Sequence, residues 1–587
     1  AAFVVLRSEN FLLGDTQNWV SAIAKGIRAG GGAHREPLPQ ALVTTIHRSV
    51  GEPLGWSVTS SFLVTGLPLG LTYLLLSAAI ARRLSSSSAG SVFVFSAIGL
   101  GGALQLFAGY AEYYAFAATA SLLVAWLGIR WADGDGRLIW LGLGFAFAIL
   151  CHAQMMFALP AILVLVGLAI KHGKWKEALA TLLAIPVAAG LALLVLGFPF
   201  AEILGHAARS QHVLPPFGKS PFGVAYSAFA WVHAVDLLNV ALLVAPALPV
   251  AVALCAGGRT KRRGIFLITF GSGLALFAII VNPNLGMVRD WDIFVVPVIA
   301  VALWACQGAG SRLSQEDSDT AGDPAGKAQT LRLMGSGSLA GAVLVITLLH
   351  SLFWLYGNHH PHSALERIRR VAHNDKLFGP ASLGETWRYI GSSELRSGDV
   401  ERAKTSFLTS IRSYPEERMT YRLLAQIQIG LAARAGGRAE AGLLSYHTAL
   451  AQGAYKPGHA HLGALFAATT AGRDDLALEE ARLMALAEPN SAEHLATWGD
   501  ILRRSGSYGE AEDAYDRALA LSPNNTRAVI GRACLAGVRG DKAGLEAGIR
   551  DALQRAPWSS QAQQFAAYLE QPGWLTPERC RKILYFR

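Results

Sequence analysis

The chain has 587 residues, 52% of them hydrophobic and only 16% charged, with a net charge of +10. Its positive mean hydropathy exceeds what a single water-soluble core absorbs, so a membrane protein is expected. The basic excess does not point to nucleic acid, because its densest group, Arg259-Thr-Lys-Arg-Arg263, abuts an apolar run where Lys and Arg mark the cytoplasmic side of a bilayer.

In chain order, the opening Ala-Ala-Phe-Val-Val-Leu is too short to span and reads as the end of a first transmembrane helix. A polar outer loop, 7–56, follows, with Glu9 and Asp15 in SENFLLGDTQNW and two amphipathic segments at 16–29 and 41–50. Apolar runs able or nearly able to cross ~30 Å of hydrocarbon then lie near 57–81, 91–108, 113–131, 138–151, 157–170, 177–198, 236–256, 265–281, 293–306 and 335–356. With the opening stub they predict an all-α polytopic bundle of about 10–11 spans over 1–356. Alternate connections carry Arg82 and Arg83, Arg130 and Arg137, Lys171 to Lys176, Arg259 to Arg263, and Arg312 with Lys327 and Arg332. These face the cytoplasm, so the other connections and everything after Tyr356 lie together outside. The stretch SQEDSDTAGDPAG, 314–326, reads as a disordered polar linker.

The five cysteines, at 151, 255, 306, 534 and 580, have neither zinc-site nor disulfide-framework spacing. After a linker at 357–383, residues 384–587 repeat. Pro489, Pro523 and Pro557 follow one another at the 34-residue period of a tetratricopeptide repeat (TPR), each preceded at constant offset by Gly472, Gly506 and Gly540. Trp498, Gly499, Tyr508, Ala511, Tyr515 and Ala518 occupy TPR positions, and an earlier copy carries Trp387, Gly391, Ala403, Phe407 and Pro415. About five helical pairs are expected, offering a concave surface to a protein partner.

The outer connections collect ionisable residues: Glu112 in FAGYAEYY, His152 and Gln154, His206 and His212 in GHAARSQHVLPP, His233 and Asp236, and Arg289, Asp290 and Asp292 in NPNLGMVRDWDIF. Ionisable groups at membrane depth are costly and tend to be functional. An acid in the first outer loop, the amphipathic segments, some ten further spans and an outer soluble domain together resemble the GT-C superfamily of integral-membrane glycosyltransferases. The repeat-bearing tail is similar to that of transmembrane O-mannosyltransferases. Many members carry two adjacent acids in the first loop, whereas Asp15 stands between Gly14 and Thr16.

The resemblance implies glycosylation from a polyprenyl-phosphate sugar donor, with a divalent metal compatible and none assigned to residues. Asp15 is then the catalytic base that takes the acceptor's proton. Arg289 grips the departing lipid phosphate with Asp290 or Asp292 orienting it, and Glu112, His152, His206 and His212 contact substrate. The expected partners are membrane lipid, a lipid-linked sugar and a protein or glycan acceptor held by the repeats. The expected location is a bacterial cytoplasmic membrane with the repeats periplasmic or extracellular. A non-catalytic membrane-anchored scaffold is the alternative. A transporter or polymerase-like glycan enzyme is a further alternative, disfavoured since the broken helices or internal repeat of a transporter are not evident in the spans.

Overall fold

The computed structural model describes residues 6–8, 16, 19–20, 23, 36–198, 213–219, 223–255, 261–322, 335–453, 455–556, 559–571 and 576–583. Every regular element among them is helical, apart from the isolated bridges Val213 to Val281 and Val224 to Phe378. The chain divides into two compact units, Ala1–Gly379 and Pro380–Arg587.

The first unit contains α1 (Pro37–Ile46), α2 (Val58–Leu84), α3 (Ser88–Gly99), α4 (Tyr114–Ala132), α5 (Leu138–Cys151), α6 (Leu159–Lys171), α7 (Trp175–Leu196), α8 (Trp231–Val244), α9 (Leu248–Leu254), α10 (Lys261–Ile280), α11 (Val295–Gly322), α12 (Ser336–His359) and α13 (Pro361–Ala372). The ends of α2 follow capping rules. Ser57 caps α2 through the Ser60 amide at 3.2 Å, and Arg82 and Arg83 sit in its last turn, where the helix dipole favours cations.

Each of the ten apolar runs falls on helix, but among the described residues only seven helices are both long and apolar enough to cross a membrane. Helices α3 and α5 are shorter, and the run at 236–256 is a broken pair, α8 and α9, bent by 97°. Pro246 lies in that break. It lacks the amide that would pair with the Leu242 carbonyl, and past the last turn the Leu243 carbonyl accepts from His350 Nε2 at 2.8 Å. The chain beyond α3 runs directly against the same break. A Cβ on Gly101 would stand 2.2 Å from the Val244 carbonyl oxygen, and one on Gly102 2.5 Å from that of Leu243, so only glycine fits. The break corrects the expectation of unbroken spans. A second correction concerns 314–326, since α11 continues helical to Gly322. The segment 357–383 likewise holds the end of α12, all of α13 and the start of the next helix.

The apolar runs supply both a core and an apolar exterior. Phe93, Phe107, Phe145 and Ile162 are buried, while Leu183, Val187, Leu191, Leu194 and Val195 along α7 are exposed on a helix that buries little of itself. Such a surface exceeds the scattered apolar residues of a water-soluble protein and fits a hydrocarbon solvent.

The connections separate into two sets joined by the helices. At one end Arg83 pairs with Asp135 at 2.7 Å, Arg263 Nη1 donates to the Arg83 carbonyl at 2.8 Å, and Ser85 meets Ser314 at 2.8 Å. At the other end the Ser8 amide donates to Ala108 at 2.7 Å, Trp19 stacks edge-on against Tyr113, and Tyr110 reaches Asp292. The basic connections therefore share one end of the unit, and the acidic and aromatic ones share the other.

The second unit consists of paired helices: α14 (Pro380–Arg396) with α15 (Val400–Ser413), α16 (Arg418–Arg434) with α17 (Ala439–Ala451), α18 (Pro457–Thr470) with α19 (Asp474–Ala487), α20 (Ala492–Ser505) with α21 (Tyr508–Leu521), and α22 (Thr526–Val538) with α23 (Lys542–Arg555). Two short helices, α24 (Ser560–Leu569) and α25 (Pro577–Lys582), complete it. The sequence period has a direct cause. Gly472, Gly506 and Gly540 all adopt the left-handed φ that ends a helix, and Tyr515 is fully buried where a Cβ on Gly499 would come within 2.7 Å of its ring.

Candidate functional site

In the first unit, buried polar side chains converge at the acidic and aromatic end. Pro37 opens α1, which places Glu36 at its N-cap with its side chain 7% exposed. His152, just past the end of α5, is equally enclosed, and its Nε2 stands 3.1 Å from Glu36 Oε1. The Gln154 backbone amide donates to His152 Nδ1 at 3.0 Å, which occupies that nitrogen as an acceptor. Nε2 is buried and makes no hydrogen bond of its own.

The Tyr114 ring packs on His152 with centroids 4.9 Å apart. Asp292, Asp290 and Glu112 lie close enough to Tyr114 to act on it electrostatically, and Glu36 joins these sequence-singled acids in one cluster. Tyr110 donates to Asp292 Oδ2 at 2.8 Å; burial first, then Asp292, holds the Tyr110 phenol well above its usual range, so it stays a donor. Behind it Tyr110, Trp291 and Trp354 stack in series.

Arg289, Asp292 and Glu112 are buried, at 1%, 1% and 4% exposure. Asp290 accepts from the Leu285 amide at 2.8 Å and closes its own loop. Of the remaining expected residues, Asp15, His206 and His212 lie outside the described residues. His233 and Asp236 sit apart in α8, where His233 Nε2 bonds the Ile279 carbonyl at 3.0 Å and Tyr226 donates to Asp236.

Several polar atoms in this centre are buried without a hydrogen-bond partner: Glu36 Oε2, Gln40 Oε1, the Tyr113 hydroxyl and both amide atoms of Gln105 and of Gln154. Native interiors satisfy nearly all such atoms, so a concentration of exceptions marks a place prepared for polar ligand atoms or water. The sequence did not single out Glu36. Its signal was an acid immediately before Pro37-Leu-Pro39, a helix start inside the first outer loop.

In the second unit a groove runs along the first helices of successive pairs, lined by Arg418, Arg422, Phe466, Glu493 and Arg527. The Arg422 guanidinium lies over the Phe466 ring, and burial lowers its pKa to about 10. Arg527 is paired with Glu493 at 2.9 Å, which leaves the groove basic toward Arg418 and Arg422.

Beside this groove His494 is fully buried, and burial holds it down at about 4; burial likewise lowers His459. A depressed histidine pKa means that the unfolded chain takes the proton first. Stability is then complete above the unfolded value, ~6.5, and falls as pH drops toward the folded value. In chelator, thermal unfolding of the repeat unit is expected to lose roughly 2 kcal/mol from His494 alone between pH 7 and 5. His494→Asn should flatten that slope, and an unchanged slope in the variant would refute the assignment.

Residues 493–525 match the tetratricopeptide repeat family model. These are α20 and α21, where the buried Tyr515 and the glycine contacts were just described. No curated protein sequence matches the chain. Among solved structures, MamA is similar at 14% identity over 29% of this chain and 95% of its own, with a TM-score of 0.22. YrrB, described as a TPR protein with an unusual peptide-binding site, is similar at 12% identity over 35% of this chain and 99% of its own, with a TM-score of 0.23. A tetratricopeptide repeat protein from Parabacteroides merdae is similar at 22% identity over 34% of this chain and 75% of its own, with a TM-score of 0.24. The family match makes the α20 and α21 pair a tetratricopeptide repeat, a fold that typically presents a surface to protein partners.

Proposed function

We propose that the chain is a polytopic membrane glycosyltransferase of the GT-C type, taking a sugar from a polyprenyl-phosphate carrier and passing it to an acceptor gathered by the repeats. The observation that carries this reading is the Glu36 and His152 pair, buried at 3.1 Å in an otherwise apolar helical unit with Glu36 Oε2 left without a partner. Glycosyl transfer needs a carboxylate that accepts the acceptor hydroxyl's proton as that oxygen attacks the anomeric carbon. On this reading His152 stands beside Oε1 at 3.1 Å, while the unpartnered Oε2 receives the proton. Asp15, in the same outer loop, is the alternative base. Arg289 supplies the positive charge that the leaving lipid phosphate requires at the membrane surface.

The positive-inside rule places the Arg83 and Arg263 end in the cytoplasm. The polar centre and the repeats then share the outer side of a bacterial cytoplasmic membrane, where a protein or glycan acceptor is at hand.

The test is the lipid that accompanies the protein. Mass spectrometry of the detergent-purified chain should detect polyprenyl phosphate, reduced about tenfold or more in Arg289→Ala and partly restored in Arg289→Lys, which offers a point charge without the planar fork. Equal lipid in wild type and Arg289→Ala would overturn the phosphate role. The second reading, a membrane-anchored scaffold, is favoured by the repeat match at 493–525 and the basic groove. It predicts partner capture by the repeats with no retained polyprenyl phosphate.

A further inference from the structure

We propose that His459, His494 and Glu488 form a divalent transition-metal site, selective for zinc, that ties together the first helices of two successive repeats. His459 stands in the first turn of α18 and His494 in the first turn of α20, while Glu488 follows the end of α19. One ligand atom from each lies within 4.8 Å of the others. In a tetrahedral zinc site with bonds of about 2.0–2.1 Å, neighbouring ligand atoms are roughly 3.3 Å apart. Glu488 Oε2 and His494 Nδ1 are already separated by 3.3 Å.

An independent observation points to a ligand. His494 is 0% exposed, yet neither of its ring nitrogens makes a hydrogen bond, and Nδ1 of the 2% exposed His459 makes none either. A buried imidazole left in that state is costly, and a bound cation would relieve one nitrogen of each ring. The other nitrogen of His459 is engaged as in metal sites generally: Nε2 faces Glu416 Oε2 at 3.3 Å, and Glu416 is in turn paired with Lys456. That carboxylate–histidine arrangement fixes the ring and leaves Nδ1 as the ligating atom.

Gly458 makes room for the set. A Cβ there would come within 2.5 Å of Glu488 Oε1 and 2.8 Å of His494 Cε1. Glu416 and Glu488 are offset by Lys456 and Arg418, so the site carries little net charge before an ion enters. Neutral imidazoles in a nearly neutral site suit zinc and disfavour calcium and magnesium, which demand oxygen ligands and more negative charge. Three protein ligands leave a fourth position for water or a partner's side chain.

A second histidine and glutamate group provides an internal contrast. In it His447 and His461 both bond Glu480, at 3.1 and 2.8 Å, so each has a hydrogen-bond partner without a metal.

The experiment strips the full chain in detergent with chelator and titrates it with zinc against a chromophoric competitor, with cobalt as a spectroscopic probe. One equivalent should bind, and cobalt should give the visible absorption of a four-coordinate site. Affinity should fall at least about 100-fold in His494→Ala and in Glu488→Gln, about 10- to 100-fold in Glu416→Gln, and stay unchanged in His461→Ala. Glu488 is partly exposed, so Glu488→Gln should fold and decides the matter where His494→Ala does not. Zinc retained in Glu488→Gln but lost in His461→Ala would place the metal on the other group, and no zinc binding by the wild-type chain would overturn the site altogether.

Discussion

Glu36→Gln is expected to lower sugar transfer by about 10²- to 10⁴-fold, the usual range for removing a positioned general base. The amide has nearly the shape of the carboxylate and fits the same place, 3.1 Å from His152 Nε2. Folding and retained lipid should therefore stay close to wild type, and the loss should fall on kcat rather than on donor binding. His152→Ala removes the partner that orients the carboxylate and should produce a smaller loss, because the base itself remains. Single-turnover transfer and lipid content, measured side by side, separate the two effects. Full activity in Glu36→Gln together with loss in Asp15→Asn would move the base to Asp15 while preserving the reaction.

Arg503→Ala should destabilise the repeat unit by about 3–5 kcal/mol, the cost of breaking a buried ionic network from one side. Arg503 is 2% exposed. Its guanidinium donates to Asp500 Oδ1 at 3.2 Å, to the Tyr515 hydroxyl at 3.2 Å, and to the carbonyls of Arg581 at 3.0 Å, Ile583 at 2.7 Å and Cys580. One side chain thus satisfies carbonyl groups at the end of α25 that no helical amide can reach, and holds that helix against α20. Asp500 also accepts from Tyr515 at 2.7 Å and from Arg527 at 3.2 Å and keeps both on truncation, so the loss falls chiefly on the three carbonyls. Arg503→Lys retains the charge but not the fork, and should recover less than half. Denaturant unfolding of the full chain reads the difference, and a loss below about 1 kcal/mol would show that water replaces these bonds at little cost.

The fold was legible wherever a local rule acts alone. The repeats are written in Gly472, Gly506 and Gly540, each a left-handed residue after a helix, and the long helices of the first unit in uninterrupted apolar runs. Legibility failed where distant segments decide the geometry. The break between α8 and α9 requires His350 at the Leu243 carbonyl and glycines 101 and 102 against the freed backbone. The polar stretch after Ser314 announces a change of solvent, and the helix continues through it to Gly322.

The candidate centre was half legible for the same reason. Glu112, His152, Arg289 and Asp292 could be singled out because ionisable groups are rare among apolar runs. Glu36 could not, because a carboxylate in a polar loop is unremarked until α1 brings it to His152, 116 positions later in the chain. The buried histidines of the repeats were hidden differently. His459 and His494 stand about one repeat apart, and only stacking of consecutive helix pairs brings their rings to 5.7 Å.

The central claim is that the helical unit catalyses transfer rather than merely anchoring the repeats. Its most direct test is transfer of a labelled sugar from polyprenyl phosphate by the purified full chain in lipid vesicles, with a protein retained by the repeats as acceptor. The account predicts label on the acceptor that requires the lipid donor and disappears in Glu36→Gln or Asp15→Asn. Absence of transfer from every polyprenyl-phosphate hexose, by a chain that still captures its partner through the repeats, would contradict it and leave the scaffold.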